Sequence, residues 1–123
     1  MHFAYFVIPA LASAAALEAR QEYRWCEANA FAGLLRKYNY RIRDVNTAEL
    51  CKDGKGPDIH KCLSLAGCAP SGGGQNCGKD APGYIHGGVN VGLACGANQV
   101  KQCIDQEMGI AGDTSYQCVC NNC

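Results

Sequence analysis

Two histidines, His60 and His86, are the side chains beyond residue 20 whose ordinary pKa suits proton transfer near neutral pH. Together with Glu49 or Glu107 and an arginine, they would supply the base, the acid and the phosphate-stabilising cation of a small ribonuclease. Neither histidine stands in a recognisable motif, and the chain carries no G-x-S-x-G, H-E-x-x-H or phosphate-loop sequence. The sequence therefore predicts a protein without catalytic residues, cofactor or metal, and a small secreted ribonuclease is the alternative.

Ten cysteines form the second chemically distinctive set. Their even number predicts five disulfide bonds formed in an oxidising compartment, and their spacing leaves the pairing open. The spacing Cys118-x-Cys120-x-x-Cys123 also resembles part of a zinc or redox motif. A zinc site needs a fourth ligand and reduced thiols, so we interpret these cysteines as structural. The cysteines that we expect to pair are Cys26, Cys51, Cys62, Cys68, Cys77, Cys95, Cys103, Cys118, Cys120 and Cys123.

The small number of large apolar side chains explains why cross-links are needed. Residues 21–123 contain 17 Leu, Ile, Val and Phe in all, a share below one fifth. Chains of that composition have difficulty burying enough apolar surface to offset the loss of conformational entropy. We therefore expect the disulfides to decide whether the chain folds.

A cluster of cations surrounds two tyrosines in the segment 36–43. The first interpretation is a solvated strand face, and the second is a contact site for an anionic partner such as a protein, a cell wall or a lipid head group. The net charge of +0 argues against binding of nucleic acid or anionic membrane by bulk electrostatics. The candidate partner contacts are Arg36, Lys37, Arg41 and Arg43.

Hydrophobic periodicity places several elements in the first half of the chain. Phe31, Leu34 and Leu35 stand at i, i+3 and i+4, which predicts a helix over residues 27–37. Alternation over residues 38–43 predicts a half-buried strand, and Asn46 with Glu49 resembles a helix-capping pair. We further expect loops at 52–57 and 69–83 and a short strand at 59–65. A protease-inhibitor alternative would use Lys55 or Lys79 in these loops.

The second half of the chain predicts a strand, a helix and a final strand. Residues 88–94 alternate as a strand does, and residues 116–120 do so again. Between them Val100, Cys103, Ile104 and Met108 share one helical face, which Gly109 would end. Glu107 falls within that face, either as a carboxylate reaching water from a frayed last turn or as a buried functional acid. The fold class that we predict is α+β, a small disulfide-rich domain with an antiparallel sheet and one or two helices.

The amino-terminal segment has the features of an export signal. Residues 3–11 are nearly all apolar, too few to span a bilayer, and residues 12–14 form an A-x-A-like cleavage site. We therefore predict a signal peptide at 1–14, a short pro-segment at 15–20 cut after Arg20, and a secreted, disulfide-stapled domain at 21–123. Such a protein is expected to be extracellular and monomeric, without stable membrane insertion.

Taken together, the export signal, the pro-segment, the short mature chain and the ten cysteines resemble the small cysteine-rich secreted proteins of fungi. That resemblance implies an effector that binds a host or cell-surface protein without catalysis, to promote virulence or modulate immunity, or alternatively a toxin against competing cells. The stretch Tyr40-Arg41-Ile42-Arg43-Asp44, the helix containing Cys103 and the Cys118-Val119-Cys120 triplet are similar to the smut-fungus killer toxins that block calcium channels. This second resemblance implies an α/β sandwich of the same kind, with a channel contact at Arg41, Arg43 or Lys101.

Overall fold

The computed structural model describes residues 24–31, 33–52, 56–77 and 83–121. The signal peptide and pro-segment predicted at 1–20 lie outside the described residues, and so do Lys55 and Lys79. The protease-inhibitor alternative therefore stays a prediction.

Five strands form one sheet. They are β1 (Arg24–Phe31), β2 (Leu35–Arg43), β3 (Ser71–Asn76), β4 (Tyr84–Gly92) and β5 (Cys118–Cys120). Their order across the sheet is β3-β4-β2-β1-β5, with β3 and β5 at the edges. Every neighbouring pair is antiparallel except β1 and β5, which run parallel. Together with the helices, this sheet confirms the predicted α+β class.

The sheet has one buried face, and on its other face none of the side chains that the structure describes is buried. On β2, Tyr38, Tyr40 and Ile42 are buried and alternate with exposed or half-buried residues, as the period of two requires. Ile85 and Val91 of β4 belong to the same buried cluster. We call the face with these side chains the inner face and the opposite one the outer face.

Among the described residues, three helices accompany the sheet: α1 (Thr47–Leu50), α2 (Ile59–Leu65) and α3 (Ala97–Met108). The Asn46 side chain accepts a hydrogen bond from the Glu49 N–H, which confirms the predicted capping pair. Helix α3 ends at Gly109 with φ +74°, a left-handed conformation that glycine adopts without steric cost, which confirms that prediction too. The apolar side chains of α2 and α3 join the core on the inner face; they are Ile59, Leu63, Val100, Ile104 and Met108.

The helix predicted over residues 27–37 is wrong. The segment is a β-hairpin in which Phe31 and Leu35 are cross-strand partners and Gly33 has φ +72°. In a tight hairpin, as in a helix, residues four apart come close together. The apolar spacing was therefore compatible with both structures, and the left-handed glycine selects the turn.

The segments 59–65 and 71–76 also differ from the prediction. Residues 59–65 form helix α2 and not a strand, because Ile59 and Leu63 at i and i+4 face the core and Asp58 Oδ1 accepts from the Lys61 N–H. Residues 71–76 form edge strand β3, although we expected only surface loop there. The predicted strands at 38–43, 88–94 and 116–120 are confirmed within β2, β4 and β5, with shifted boundaries.

Disulfides join elements that are distant in sequence. Cys26–Cys118 crosses from β1 to β5, and Cys62–Cys103 ties α2 to α3. Cys51–Cys77 holds the end of α1 to the end of β3, and Cys68–Cys95 joins the segments before β3 and α3. Cys120 is also disulfide-bonded, while Cys123 lies outside the described residues. Among the cysteines that the structure describes, none is free.

Candidate functional site

Two cross-strand pairs on the outer face form a cluster of cationic and aromatic side chains. Arg41 on β2 lies opposite His86 on β4, and Arg43 lies opposite Tyr84 in the next outward-facing pair. The Tyr84 and His86 rings stack with centroids 5.8 Å apart, and the Arg43 guanidinium carbon lies 5.1 Å from the Tyr84 centroid. Arg41, Arg43 and His86 are exposed, and Tyr84 is half-buried. We call these four residues the cationic patch.

Neighbouring side chains fix the position of the cationic patch. His86 Nε2 lies 3.1 Å from the amide nitrogen of Asn76 on edge strand β3. The Arg24 guanidinium donates hydrogen bonds to the carbonyl oxygens of Arg43 and Asp44, which anchors the end of β2 to the start of β1. The Asn76 contact restrains the His86 ring, and the Arg24 bonds restrain the backbone that carries Arg43, which lowers the entropic cost of binding.

The structure separates the four cations predicted as partner contacts. Lys37, Arg41 and Arg43 are exposed on the outer face because they occupy alternate positions of β2. Arg36 lies one position out of phase, is half-buried, and donates from Nη1 to the Leu35 carbonyl oxygen. Burial raises the pKa of neighbouring Tyr38, and the positive charge of Arg36 offsets part of that rise. The cationic patch therefore contains Arg41 and Arg43 from the predicted contacts. Its other two members, Tyr84 and His86 of β4, were not among the predicted contacts.

The histidines and carboxylates of the ribonuclease interpretation lie on different parts of the fold. His86 projects from the outer face, whereas His60 is on α2, whose apolar side chains pack against the inner face. His60 lines a separate hollow of about 400 Å³ with Tyr40 and Gln75, and His86 is not among its lining residues. In that hollow Tyr40 Oη donates to Gln75 Oε1 at 3.4 Å, and burial raises the pKa of Tyr40. Glu107, on α3, is half-buried.

The buried acid of α3 is Asp105 and not Glu107. Asp105 is only 5% exposed, and its carboxylate accepts hydrogen bonds from Tyr116 Oη and from Lys101 Nζ. Lys101 also donates to the Asp113 carbonyl oxygen and lies 4.7 Å from the centre of the Tyr116 ring. Sequence reasoning missed this network, although the i, i+4 spacing of Lys101 and Asp105 was a usable signal.

The polar network ties the segment 113–116 to α3 and to β1. Arg24 Nη1 pairs with Asp113 Oδ2 at 2.9 Å, and Ser115 donates hydrogen bonds to the same carboxylate. Burial raises the pKa of Asp113, but the hydrogen bonds from Arg24 and Ser115 outweigh it and hold that pKa below its usual value. Burial and the Asp105 carboxylate both raise the pKa of Tyr116, which therefore keeps its proton.

Within the described ranges, no three His, Cys, Asp or Glu side chains are grouped so that they could hold a metal ion. No helix of the described residues is both long enough and apolar enough to cross a bilayer. The disulfides and the cysteine content fit a small secreted cysteine-rich protein. No family model, curated protein or solved structure matches this chain.

Proposed function

We propose that this protein is a secreted effector that acts as a monomer and binds a host or cell-surface protein, without catalysis, through the cationic patch. The observation that carries the proposal is the set of side chains collected on the outer face. Arg41, Arg43 and Tyr84 belong to the residue types that dominate binding energy at protein interfaces, and they stand in adjacent cross-strand pairs.

The charge of the outer face favours a partner with an acidic surface. Among the described strands, the outward-facing positions of β1 and β2 carry three cations, Lys37, Arg41 and Arg43, against one carboxylate, Glu27. An Arg guanidinium held beside an aromatic ring can pair with a carboxylate while its hydrophobic face stays covered. A protein that presents Asp or Glu side chains around an apolar contact would complement this arrangement.

A fold cross-linked by disulfide bonds is well suited to an extracellular protein. Disulfides reduce the population of the locally open states that proteases cleave, so the domain would persist in protease-rich fluid. The cationic patch lies on the paired strands β2 and β4, whose opposite side packs against the core, which makes it a rigid platform.

Binding to intact cells tests the proposal. Exported, labelled protein would be added to panels of plant, animal and microbial cells, with and without prior protease treatment of the cell surface. We expect saturable binding that protease treatment removes and that Arg41→Glu weakens about tenfold or more, as for an interface hot spot. Lys61→Glu is the matched control, because Lys61 is an exposed cation on α2.

Three results would count against the proposal. Equal weakening by Arg41→Glu and Lys61→Glu would show that only total charge matters. Binding that survives protease treatment would show that the partner is not a protein. Growth inhibition of microbial cells at micromolar dose, without binding to host cells, would replace the effector with a toxin.

A further inference from the structure

A groove of about 450 Å³ runs between β1 and the segment that leads into β5. It lies beside the cationic patch, because Trp25 in its wall is the cross-strand partner of Arg41. Its volume falls in the range of small-molecule sites, about 300–1,000 Å³. The residues that line it are Arg24, Trp25, Cys26, Glu27, Thr114, Ser115, Tyr116, Gln117 and Val119.

The walls of this groove are held in place. Cys26–Cys118 joins β1 to β5, and the Arg24–Asp113 pair fixes the start of the segment that forms the opposite wall. Tyr116 is anchored from beneath by its hydrogen bond to buried Asp105. The groove is therefore a preformed feature of the fold, which lowers the entropic cost of binding a ligand.

Several polar groups in the groove are not used by the fold. All three guanidinium nitrogens of Arg24 are already bonded, one to the Asp113 carboxylate and two to the carbonyl oxygens of Arg43 and Asp44. The Ser115 hydroxyl likewise donates a hydrogen bond to Asp113. The side chains of Glu27, Thr114 and Gln117, by contrast, make no hydrogen bond or ion pair within the described part of the chain. A carboxylate that accepts hydrogen bonds thus remains beside the indole of Trp25, together with a hydroxyl and an amide that both donate and accept them.

We propose that this groove binds a neutral oligosaccharide. A pyranose ring has one face of C–H groups, which an indole covers well, and a rim of hydroxyls that donate and accept hydrogen bonds. The free groups Glu27, Thr114 and Gln117 match that rim. An anionic ligand is disfavoured because the uncommitted charge in the groove is the carboxylate of Glu27, while the Arg24 cation is already paired with Asp113.

Trp25 makes the test specific, since it is the single tryptophan of the 123-residue chain. The full exported protein would be titrated with neutral hexasaccharides of glucose, mannose and N-acetylglucosamine while indole emission is recorded. We expect a saturable emission change with at least one of these sugars, at concentrations below about 10 mM, the weak end of specific binding. The change should survive high salt, because a neutral sugar forms no ion pair with Glu27 that salt could screen.

Variants separate the groove from the rest of the surface. Gln117→Ala should raise the dissociation constant about threefold to tenfold, because it removes neutral hydrogen bonds. Gln102→Ala, at an exposed position of α3, is the control and should leave it unchanged. Lys61→Glu, a charge reversal at an exposed position of α2 outside the groove lining, should also leave sugar binding unchanged.

Three outcomes would overturn the inference. The first is no saturable change with any of the hexasaccharides. The second is equal affinity in the Gln117→Ala variant, with its fold verified by circular dichroism. The third is a response to tetralysine that salt abolishes and that no neutral sugar reproduces, which would assign the groove to cationic side chains on Trp25 and Glu27.

Discussion

Removing one disulfide at a time should destabilise the domain by an amount that grows with the logarithm of the loop length that each bond closes. Cys26–Cys118 spans 92 residues and Cys68–Cys95 spans 27. The chain-entropy relation assigns about 4.6 and 3.5 kcal/mol to these bonds at about 25 °C, a difference of about 1.1 kcal/mol. The two pairs suit comparison because all four cysteines are buried, so the packing lost in a double Cys→Ala variant is similar.

The remaining cross-links do not remove this difference. Through the Cys62–Cys103 bond, the shortest covalent path falls to about 52 residues between Cys26 and Cys118 and to about 15 between Cys68 and Cys95. The ratio of the two loop lengths is almost unchanged, and the expected difference remains about 1.1 kcal/mol.

Urea unfolding without reductant, followed by circular dichroism, measures the effect for each double variant. The variant without Cys26–Cys118 should unfold at the lower urea concentration. The contradicting result is a variant without Cys68–Cys95 that is no more stable than the variant without Cys26–Cys118. In that case the bonds would stabilise the fold through packing around each sulfur in the native state and not through loop closure.

Three further predictions concern the polar network and the glycine edge strand. Tyr116→Phe should lower the free energy of unfolding, measured in urea, by about 1–3 kcal/mol, because the buried Asp105 carboxylate loses a hydrogen-bond donor. An unchanged urea midpoint would contradict this role of Tyr116. Folding lowers the pKa of Asp113, so its contribution to the free energy of unfolding is present above the unfolded pKa of about 3.9 and is lost as pH falls through the folded value. The difference in free energy of unfolding between wild type and Asp113→Asn should therefore shrink from pH 6 to about pH 2.5. A difference that stays constant over this range would refute the prediction. Gly73→Ala should lower the free energy of unfolding by about 1–3 kcal/mol, since φ is +75° and a Cβ would overlap the Gly88 carbonyl oxygen. Gly74→Ala is the control and should be tolerated, because a Cβ there would meet open space.

The parts of the fold that the sequence predicted correctly are those with a single periodic interpretation. Alternation over residues 38–43 admits only a strand, and the apolar stripe of α3 followed by Gly109 admits only a helix with a glycine stop. The hairpin at 24–43 was not predictable in the same way, because the four-residue spacing of Phe31 and Leu35 suits both a turn of helix and a tight turn. Tertiary pairing with β4 and β5 resolves it.

Edge strand β3 was also beyond prediction from its own residues. The sequence Ser71–Asn76 contains three glycines, which have low strand propensity, and its pairing depends on β4. Glycines on β4 oppose it at Gly87 and Gly88, so the two backbones approach closely where side chains would clash. Nothing in the local pattern of 71–76 signals this contact.

The candidate site was predictable only in part. Arg41 and Arg43 follow from the cation cluster, but Tyr84 and His86 join them through strand register, which depends on long-range pairing. Arg36 could have been separated from the other cations by applying the period of two along β2. The groove at Trp25 has no local signal, since its two walls are about 90 residues apart in the chain and meet through parallel pairing of β1 with β5.

Mass spectrometry of peptides cut from the exported protein without reductant tests most directly whether paired sulfurs hold this sheet together and leave its outer face open. The expected linked peptides contain Cys26 with Cys118, Cys51 with Cys77, Cys62 with Cys103 and Cys68 with Cys95. A different pairing, several free thiols, or failure to find the protein outside the cell would contradict both the fold and the function proposed from it.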